Sequence, residues 1–254
     1  EYNGYKIYDE KGCQLVPQFA NQVIEFVNAV TDLQSVEIMD FQDGVNNGKI
    51  VVIGEDVLDA FLTEVKKQSI YEEKSDLKIV YTALHGTGNI PVRKALEGMN
   101  VSIVKSQELP DGNFSTVRSP NPEEKDALTL GIAQAKEEKA DLALGTDPDC
   151  DRVGIAVLHN GEYVLMTGNQ VGALLVDFVL SNRKDTLSEK STLVKTIVTS
   201  EVGADIARSY GLQIVDTLTG FKYIGDQIGR YEVSGDREFV IGYEESYGYL
   251  VGTH

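Results

Sequence analysis

The sequence predicts an α/β protein built from repeated layered domains. Short apolar, β-branched runs alternate with segments of helical period along most of the chain, which is the pattern of α/β layers with largely parallel strand pairing. The sections 77–104 and 192–216 share one order and size, strand then helix then strand. The chain has 254 residues, 42% of them hydrophobic and 25% charged, enough apolar material and length for one large domain or two of ordinary size. Two similar α/β domains, preceded by part of a third, are expected.

Residues 5–9 and 14–16, around Lys11-Gly12, read as a short hairpin. Pro17 suits the first position of a helix that carries Phe19, Val23, Phe26, Val27 and Val30 on one face. The turn-formers of 43–48 read as a loop and a domain boundary. Residues 50–53 are apolar and β-branched and read as a strand, and 56–67 as a helix with Val57, Phe61 and Val65 four apart. A strand at 77–84 leads through His85-Gly86-Thr87-Gly88 to a helix at 91–99 and a strand at 101–104. A loop covers 110–122, where Asn121 is placed to cap a helix begun by Pro122 and running to about Lys139. Strands at 141–145 and 152–158 follow, and Asn160-Gly161 marks a tight hairpin turn. Next come a helix at 169–181, a strand at 192–199, a helix at 201–210, a strand at 212–216, a helix at 221–229 and a strand at 238–242.

Composition excludes several function classes. The formal net charge is -17 and no Lys/Arg cluster stands out, so no nucleic-acid or anionic-membrane partner is expected. No apolar run reaches the roughly 18 residues of a spanning helix. Two distant cysteines, Cys13 and Cys150, make no disulfide framework, and a reduced, cytoplasmic setting is expected. Glu1 is not Met, and the chain stops at His254 without a terminal signature, so both ends read as cut. No feature sets an oligomeric state.

The sharpest signal is Gly145-Thr146-Asp147-Pro148-Asp149-Cys150-Asp151-Arg152. In an extended loop alternate side chains point the same way, so Asp147, Asp149 and Asp151 are expected to converge. Carboxylates packed together repel unless a cation sits among them, and hard oxygen ligands select Mg²⁺, Ca²⁺ or Mn²⁺. An EF-hand loop counted from Asp147 would want glycine and glutamate where Arg152 and Leu158 stand. The plain alternative is a surface turn whose acids cap backbone amides. Arg152 beside such a cage could reach a second anion that bridges to the metal, and a phosphate fits best.

Three weaker signals accompany it. Glu244-Glu245-Ser246 follows an apolar strand, and its carboxylates and hydroxyl suit vicinal sugar hydroxyls, although a solvated strand end fits equally well. Thr219-Gly220-Phe221-Lys222 lies between a strand and a helix, where N–H groups and Lys222 would suit an anion, or simply connect the two. His85-Gly86-Thr87-Gly88 lacks the third glycine of a dinucleotide fingerprint, because position 91 is Pro91. It reads as a tight turn with a structural histidine. With only His85, His159 and His254, an acyl-transfer triad has little to draw on.

Together these pieces resemble the α-D-phosphohexomutase family. Asp147-Pro148-Asp149-Cys150-Asp151-Arg152 resembles its magnesium loop, Glu244-Glu245-Ser246 its sugar-recognition loop, and Thr219-Gly220-Phe221-Lys222 a loop that helps select the sugar's orientation. Glu1-Tyr2-Asn3-Gly4-Tyr5-Lys6 resembles the stretch after the family's Ser-His-Asn-Pro phosphoserine motif. The resemblance implies repeated mixed-sheet α/β domains of the phosphohexomutase type: the end of domain 1 at 1–45, domain 2 at 46–160 and domain 3 at 161–254. It also implies Mg²⁺ on Asp147, Asp149 and Asp151, and Lys6 as general acid/base with Arg152 on the phosphate. Sugar hydroxyls would meet Glu244 and Ser246, with Thr219, Gly220, Phe221 and Lys222 beside them. The implied substrate is a small-molecule sugar phosphate, glucose 1-phosphate interconverting with glucose 6-phosphate through glucose 1,6-bisphosphate. The serine motif and a fourth domain are absent from these residues, so the chain alone is expected not to turn over. A phosphomannomutase or phosphopentomutase of the same family, a non-catalytic cation- or sugar-binding module, and more distantly an aspartate-nucleophile phosphatase are the alternatives.

Overall fold

A computed structural model describes residues 5–70 and 75–253. Glu1, Tyr2, Asn3 and Gly4, most of the stretch expected to follow a phosphoserine motif, lie outside the described residues. The chain separates into two units, Glu1–Thr63 and Glu64–His254.

In the first unit, helix α1 (Pro17–Asn28) begins at Pro17, where a missing N–H costs nothing. The expected hairpin is reduced to a single antiparallel bridge, Tyr8 to Gln14. Its turn is held by the Asp9 carboxylate, which accepts from the backbone N–H of Lys11 and of Cys13, both at 2.9 Å. Two expectations need correction. Residues 43–48 are not a loop, because α2 (Phe41–Asn46) covers most of them. Asp40 starts that helix by accepting from the Asp43 N–H at 3.0 Å. Residues 50–53 form no strand, and Val51, Val52 and Ile53 are exposed. Their β-branched composition gives propensity, but a strand needs a partner ladder, and none is offered among the described residues. Helix α3 (Glu55–Lys67) follows, with acids in its first turn and Lys66 and Lys67 in its last, matching the helix dipole.

The second unit holds two mixed sheets. Strands β1 (Lys78–Thr82), β2 (Asn100–Ile103), β3 (Leu142–Thr146), β4 (Val153–His159) and β5 (Glu162–Leu165) run in the order β2-β1-β3-β4-β5. The first three are parallel, while β4 and β5 are antiparallel additions. Helices α4 (Asn89–Ala95) and α5 (Thr129–Glu138) make the crossovers. Val80, Leu128, Ala135, Ala143 and Ala156 pack one core. The helix expected from Pro122 begins only at Thr129. The Asn121 carboxamide instead closes a local turn by accepting from the Glu123 N–H at 3.1 Å. At the β4–β5 hairpin, Asn160 and Gly161 both have positive φ, 49° and 83°, as a two-residue turn of right-twisted strands requires.

The plan then repeats. β6 (Ser191–Thr196), β7 (Gln213–Thr217), β8 (Glu238–Tyr243) and β9 (Tyr249–Val251) run in the order β7-β6-β8-β9. The first three are parallel and β9, which the sequence did not suggest, is antiparallel. Helix α6 (Gly168–Arg183) opens with a capping box between Thr167 and Gln170, and α7 (Glu201–Ser209) and α8 (Phe221–Ser234) complete the set. Adjacent residues of β6 serve opposite faces of the sheet. Leu193 packs with Val176 and Leu180 of α6 and Ala207 of α7, and Val194 packs with Ile224 and Tyr231 of α8. Lys195 is buried, but its ammonium meets Glu201 at 2.8 Å and Asp216 at 2.9 Å and so ties β6 to α7 and β7.

In both sheets the third parallel strand turns back through a hairpin. The β3–β4 connection is residues 147–152, and the β8–β9 connection is residues 244–248. These are the aspartate motif and the Glu-Glu-Ser motif, so the repeat places them at equivalent points.

Leu193→Ala is expected to destabilise the second unit by about 2–5 kcal/mol, the cost of a cavity in a closed core. Ile53→Ser should cost no more than about 0.5 kcal/mol, as at an ordinary exposed position. Urea unfolding followed by circular dichroism measures both, and a large loss at Ile53 would mean that 50–53 is a buried strand.

Candidate functional site

The aspartate hairpin brings its three acids together. Carboxylate oxygens of Asp147, Asp149 and Asp151 all lie within 4.8 Å of one another. The route differs from the expected extended alternation. The loop is a turn, with Cys150 in the left-handed region at φ 62°, and convergence comes from that reversal. Asp147 is buried and the other two are exposed. Burial pushes the Asp147 carboxyl well above the usual carboxylate range, and the negative charges of Asp151 and Asp149 add to the effect. Its Oδ1 accepts from the Arg152 backbone N–H at 3.0 Å, which works in the other direction.

The loop rests on the turn after β1. Thr87 donates to the Pro148 carbonyl twice, from its N–H at 2.8 Å and its hydroxyl at 3.0 Å. A Cβ on Gly86 would stand 2.4 Å from Pro148 Cα, so only glycine allows this approach. At the foot of the loop the Tyr81 and Thr146 hydroxyls meet at 2.8 Å. The turn is in turn fixed by His85, whose Nδ1 and Nε2 lie 2.8 Å from the Leu109 carbonyl and the Thr116 hydroxyl. His85 is therefore a structural histidine, as expected.

Arg152 places its guanidinium beside the cluster, 3.9 Å from both Asp147 and Asp151. Its closest partner is Glu123, 2.9 Å from Nη1. Sequence reasoning missed Glu123, because 29 residues separate the pair and the Asn-Pro before it read as a helix start. An acid in a proline-rich loop was the available signal.

Around the second hairpin, Glu244 is buried and its Oε1 accepts from the Gly220 N–H at 2.5 Å. That bond joins the Glu-Glu-Ser loop to Thr219-Gly220-Phe221-Lys222. Gly220 takes φ 122° as it caps α8, and Lys222 lies over the Tyr223 ring at 5.3 Å. Burial raises the Glu244 carboxyl; the Gly220 N–H opposes this, the Glu245 charge adds to the rise, and the Arg152 and Asp151 charges act in opposite senses from the aspartate hairpin. Ser246 is partly buried two residues on.

The two hairpins are joined directly. The Val153 N–H, next to Arg152, donates to the Tyr247 carbonyl at 3.0 Å, and the Tyr247 hydroxyl donates to the Met166 carbonyl at 2.9 Å. Tyr247 holds φ 68° to do so. The structure thus brings together the aspartates, Arg152, Glu244, Ser246 and the 219–222 turn. Lys6 is exposed in the other unit.

Comparison with known proteins gives this arrangement its context. The model of phosphoglucomutase/phosphomannomutase α/β/α domain II matches residues 59–161, and that of domain III matches residues 167–254. The chain belongs to the phosphoglucomutase/phosphomannomutase family. A Staphylococcus saprophyticus phosphoglucomutase is 38% identical over 257 residues, covering 98% of this chain and 46% of the relative. A Staphylococcus haemolyticus phosphoglucomutase is 36% identical over 254 residues, covering 98% and 45%. This family member therefore spans about half the length of the curated relatives it matches. Two solved structures share the fold. A Burkholderia thailandensis phosphoglucomutase/phosphomannomutase family protein superposes with TM-score 0.62 at 18% identity, over 77% of this chain and 39% of its own. Paramecium parafusin, a phosphoglucomutase in its open form, gives 0.55 at 15% identity, over 94% and 44%. No helix among the described residues of this phosphohexomutase-family chain is long and apolar enough to cross a membrane.

Gly86→Ala is expected to push Pro148 off its seat and to cost about 1–3 kcal/mol, as overpacking does. Differential scanning calorimetry measures the loss. A fully stable variant with unchanged Thr87 and Pro148 amide and carbonyl signals would show that the turn does not carry the loop.

Proposed function

We propose that this chain supplies the metal and sugar loops of a Mg²⁺-dependent phosphohexomutase that interconverts glucose 1-phosphate and glucose 6-phosphate. The observation that carries the reading is the convergence of three aspartates on one hairpin that is hydrogen-bonded to the Glu244–Ser246 hairpin. An all-carboxylate donor set is the chemistry of a hard cation and fits magnesium. A divalent cation held by Asp147, Asp149 and Asp151 supplies Lewis-acid neutralisation of charge on a phosphoryl group.

The chain's own residues do the positioning that phosphoryl transfer needs. Arg152, anchored on Glu123, presents a cation beside the aspartates for the phosphate oxygens. Glu244 and Ser246 bind and orient the sugar hydroxyls, one as acceptor and the other as donor or acceptor. Thr219, Gly220, Phe221 and Lys222 border that pocket, and Lys222 adds positive charge at the start of α8. Lys6 holds or returns the proton of the reacting hydroxyl. In this reading the phosphate comes from a phosphoserine outside these residues, and glucose 1,6-bisphosphate is the intermediate that turns round. Residues 1–45, 46–160 and 161–254 are assigned to the end of domain 1, domain 2 and domain 3. The names of the staphylococcal relatives favour glucose over mannose as the sugar.

The test is a mutase assay on a full-length protein containing this chain, with glucose 1-phosphate, Mg²⁺ and a trace of glucose 1,6-bisphosphate. Glucose 6-phosphate should form, and Asp149→Ala should lower the rate by about a hundredfold or more, the scale of losing a main electrostatic stabiliser. Removing Mg²⁺ with a chelator should abolish turnover reversibly. No conversion of glucose, mannose or glucosamine phosphates would overturn the proposal.

A further inference from the structure

We infer that Glu245, between the two residues assigned to the sugar, is a positioning residue that fixes the loop presenting them. The inference rests on the sugar-phosphate reading of that loop. Neighbouring Glu244 and Glu245 send their carboxylates to different supports. Glu244 reaches the β7–α8 turn at Gly220. Glu245 reaches the β6–α7 turn, where its Oε2 accepts from the Thr196 hydroxyl at 3.0 Å and the Thr199 hydroxyl at 2.9 Å.

The attachment is made twice over. The Glu245 backbone N–H donates to the Thr199 hydroxyl at 3.1 Å, so one threonine holds both the main chain and the side chain. Thr196 and Thr199 are themselves buried, and their hydroxyls lie 2.6 Å apart. The opposite wall is the first turn of α6. A Cβ on Gly168 would stand 1.9 Å from the Glu245 carbonyl oxygen. Asn169 accepts from the Ser200 N–H at 2.9 Å and closes α6 against the β6–α7 turn. Glu245 therefore sits in a socket built by three elements, whereas Glu244 and Ser246 flank it.

The first sheet has the same arrangement with different atoms. There Thr87, in the turn after β1, holds the Pro148 carbonyl of the aspartate loop. In the second sheet, Thr199, in the turn after β6, holds Glu245 of the sugar loop. In a loop of only five residues between paired strands, Tyr247 gains order from burial, but the polar stretch 244–246 has no apolar side chain to bury. Hydrogen bonds to a carboxylate supply it, and a loop ordered before its ligand arrives loses less entropy on binding. The ligand class is a hexose phosphate whose adjacent hydroxyls meet Glu244 and Ser246.

The experiment uses a full-length protein that contains this 254-residue chain. Amide hydrogen exchange of 244–248 reports loop order, and calorimetric titration with glucose 1-phosphate in Mg²⁺ reports binding. Glu245→Ala and Thr199→Val should each speed loop exchange and weaken binding by about tenfold, the worth of one hydrogen bond to a charged group. Glu245→Gln keeps an oxygen acceptor for the threonines and should recover most of both. Ser246→Ala should weaken binding without speeding exchange. Unchanged exchange in Glu245→Ala would overturn the inference, and weaker binding at unchanged exchange would make Glu245 a ligand contact instead. If the unaltered full-length protein binds no glucose 1-phosphate, the sugar reading falls, and faster exchange in Glu245→Ala alone upholds the positioning role.

Discussion

In each sheet a hairpin loop at the end of the third parallel strand is seated on the turn that follows the first. The placement of both motif loops depends on that seat. Ligands of α/β sheets gather outside the carboxyl ends of parallel strands, because loops there can vary while the strands fix their roots. Here the seat is Thr87 against Pro148 at one sheet and Thr199 against Glu245 at the other. The repeated plan means that one solution serves two loops, a cluster of acids in the first sheet and the Glu-Glu-Ser loop in the second.

The two loops differ in what they must resist. The aspartate loop resists its own charge: three carboxylates within 4.8 Å repel, and one of them is buried. Hydrogen bonds to Pro148, a close approach that only Gly86 allows, and the nearby Arg152 guanidinium hold the cluster in shape. The Glu-Glu-Ser loop resists disorder, and its supports are hydrogen bonds to carboxylates. The Val153 to Tyr247 bond then makes the position of one loop depend on the other. On the proposed function, a phosphoryl group and the sugar that carries it have to be aligned together, and this bond joins the two loops assigned to them.

The α/β class, the repeat and the two sheets were legible because β-branched runs and helical periods alternate along most of the chain from Lys78 onward. The convergence of the three aspartates was legible from their alternate spacing, although a turn rather than an extended strand produces it. What failed has local causes. The apolar run at Val51, Val52 and Ile53 has strand propensity and no ladder to join. Asp40 caps a helix that Asp43, Gly44 and Asn46 made look like a loop. Pro122 reads as a helix start, but Asn121 spends its carboxamide on a turn. Within the site, Glu123 on Arg152 and Thr199 on Glu245 are contacts 29 and 46 residues apart in sequence. Spacing carries no trace of them, and only the folded chain shows which acids are supports.

The most direct measurement is a Mn²⁺ titration of the chain followed by electron paramagnetic resonance, comparing the unaltered protein with Asp149→Ala. Manganese prefers the same hard oxygen donors as magnesium and is visible to the method. If the aspartate hairpin is a cation cage, the unaltered chain binds one Mn²⁺ that Mg²⁺ displaces, and Asp149→Ala loses that site. Equal binding by both proteins, or none by either, would contradict it and leave the three acids as a surface turn.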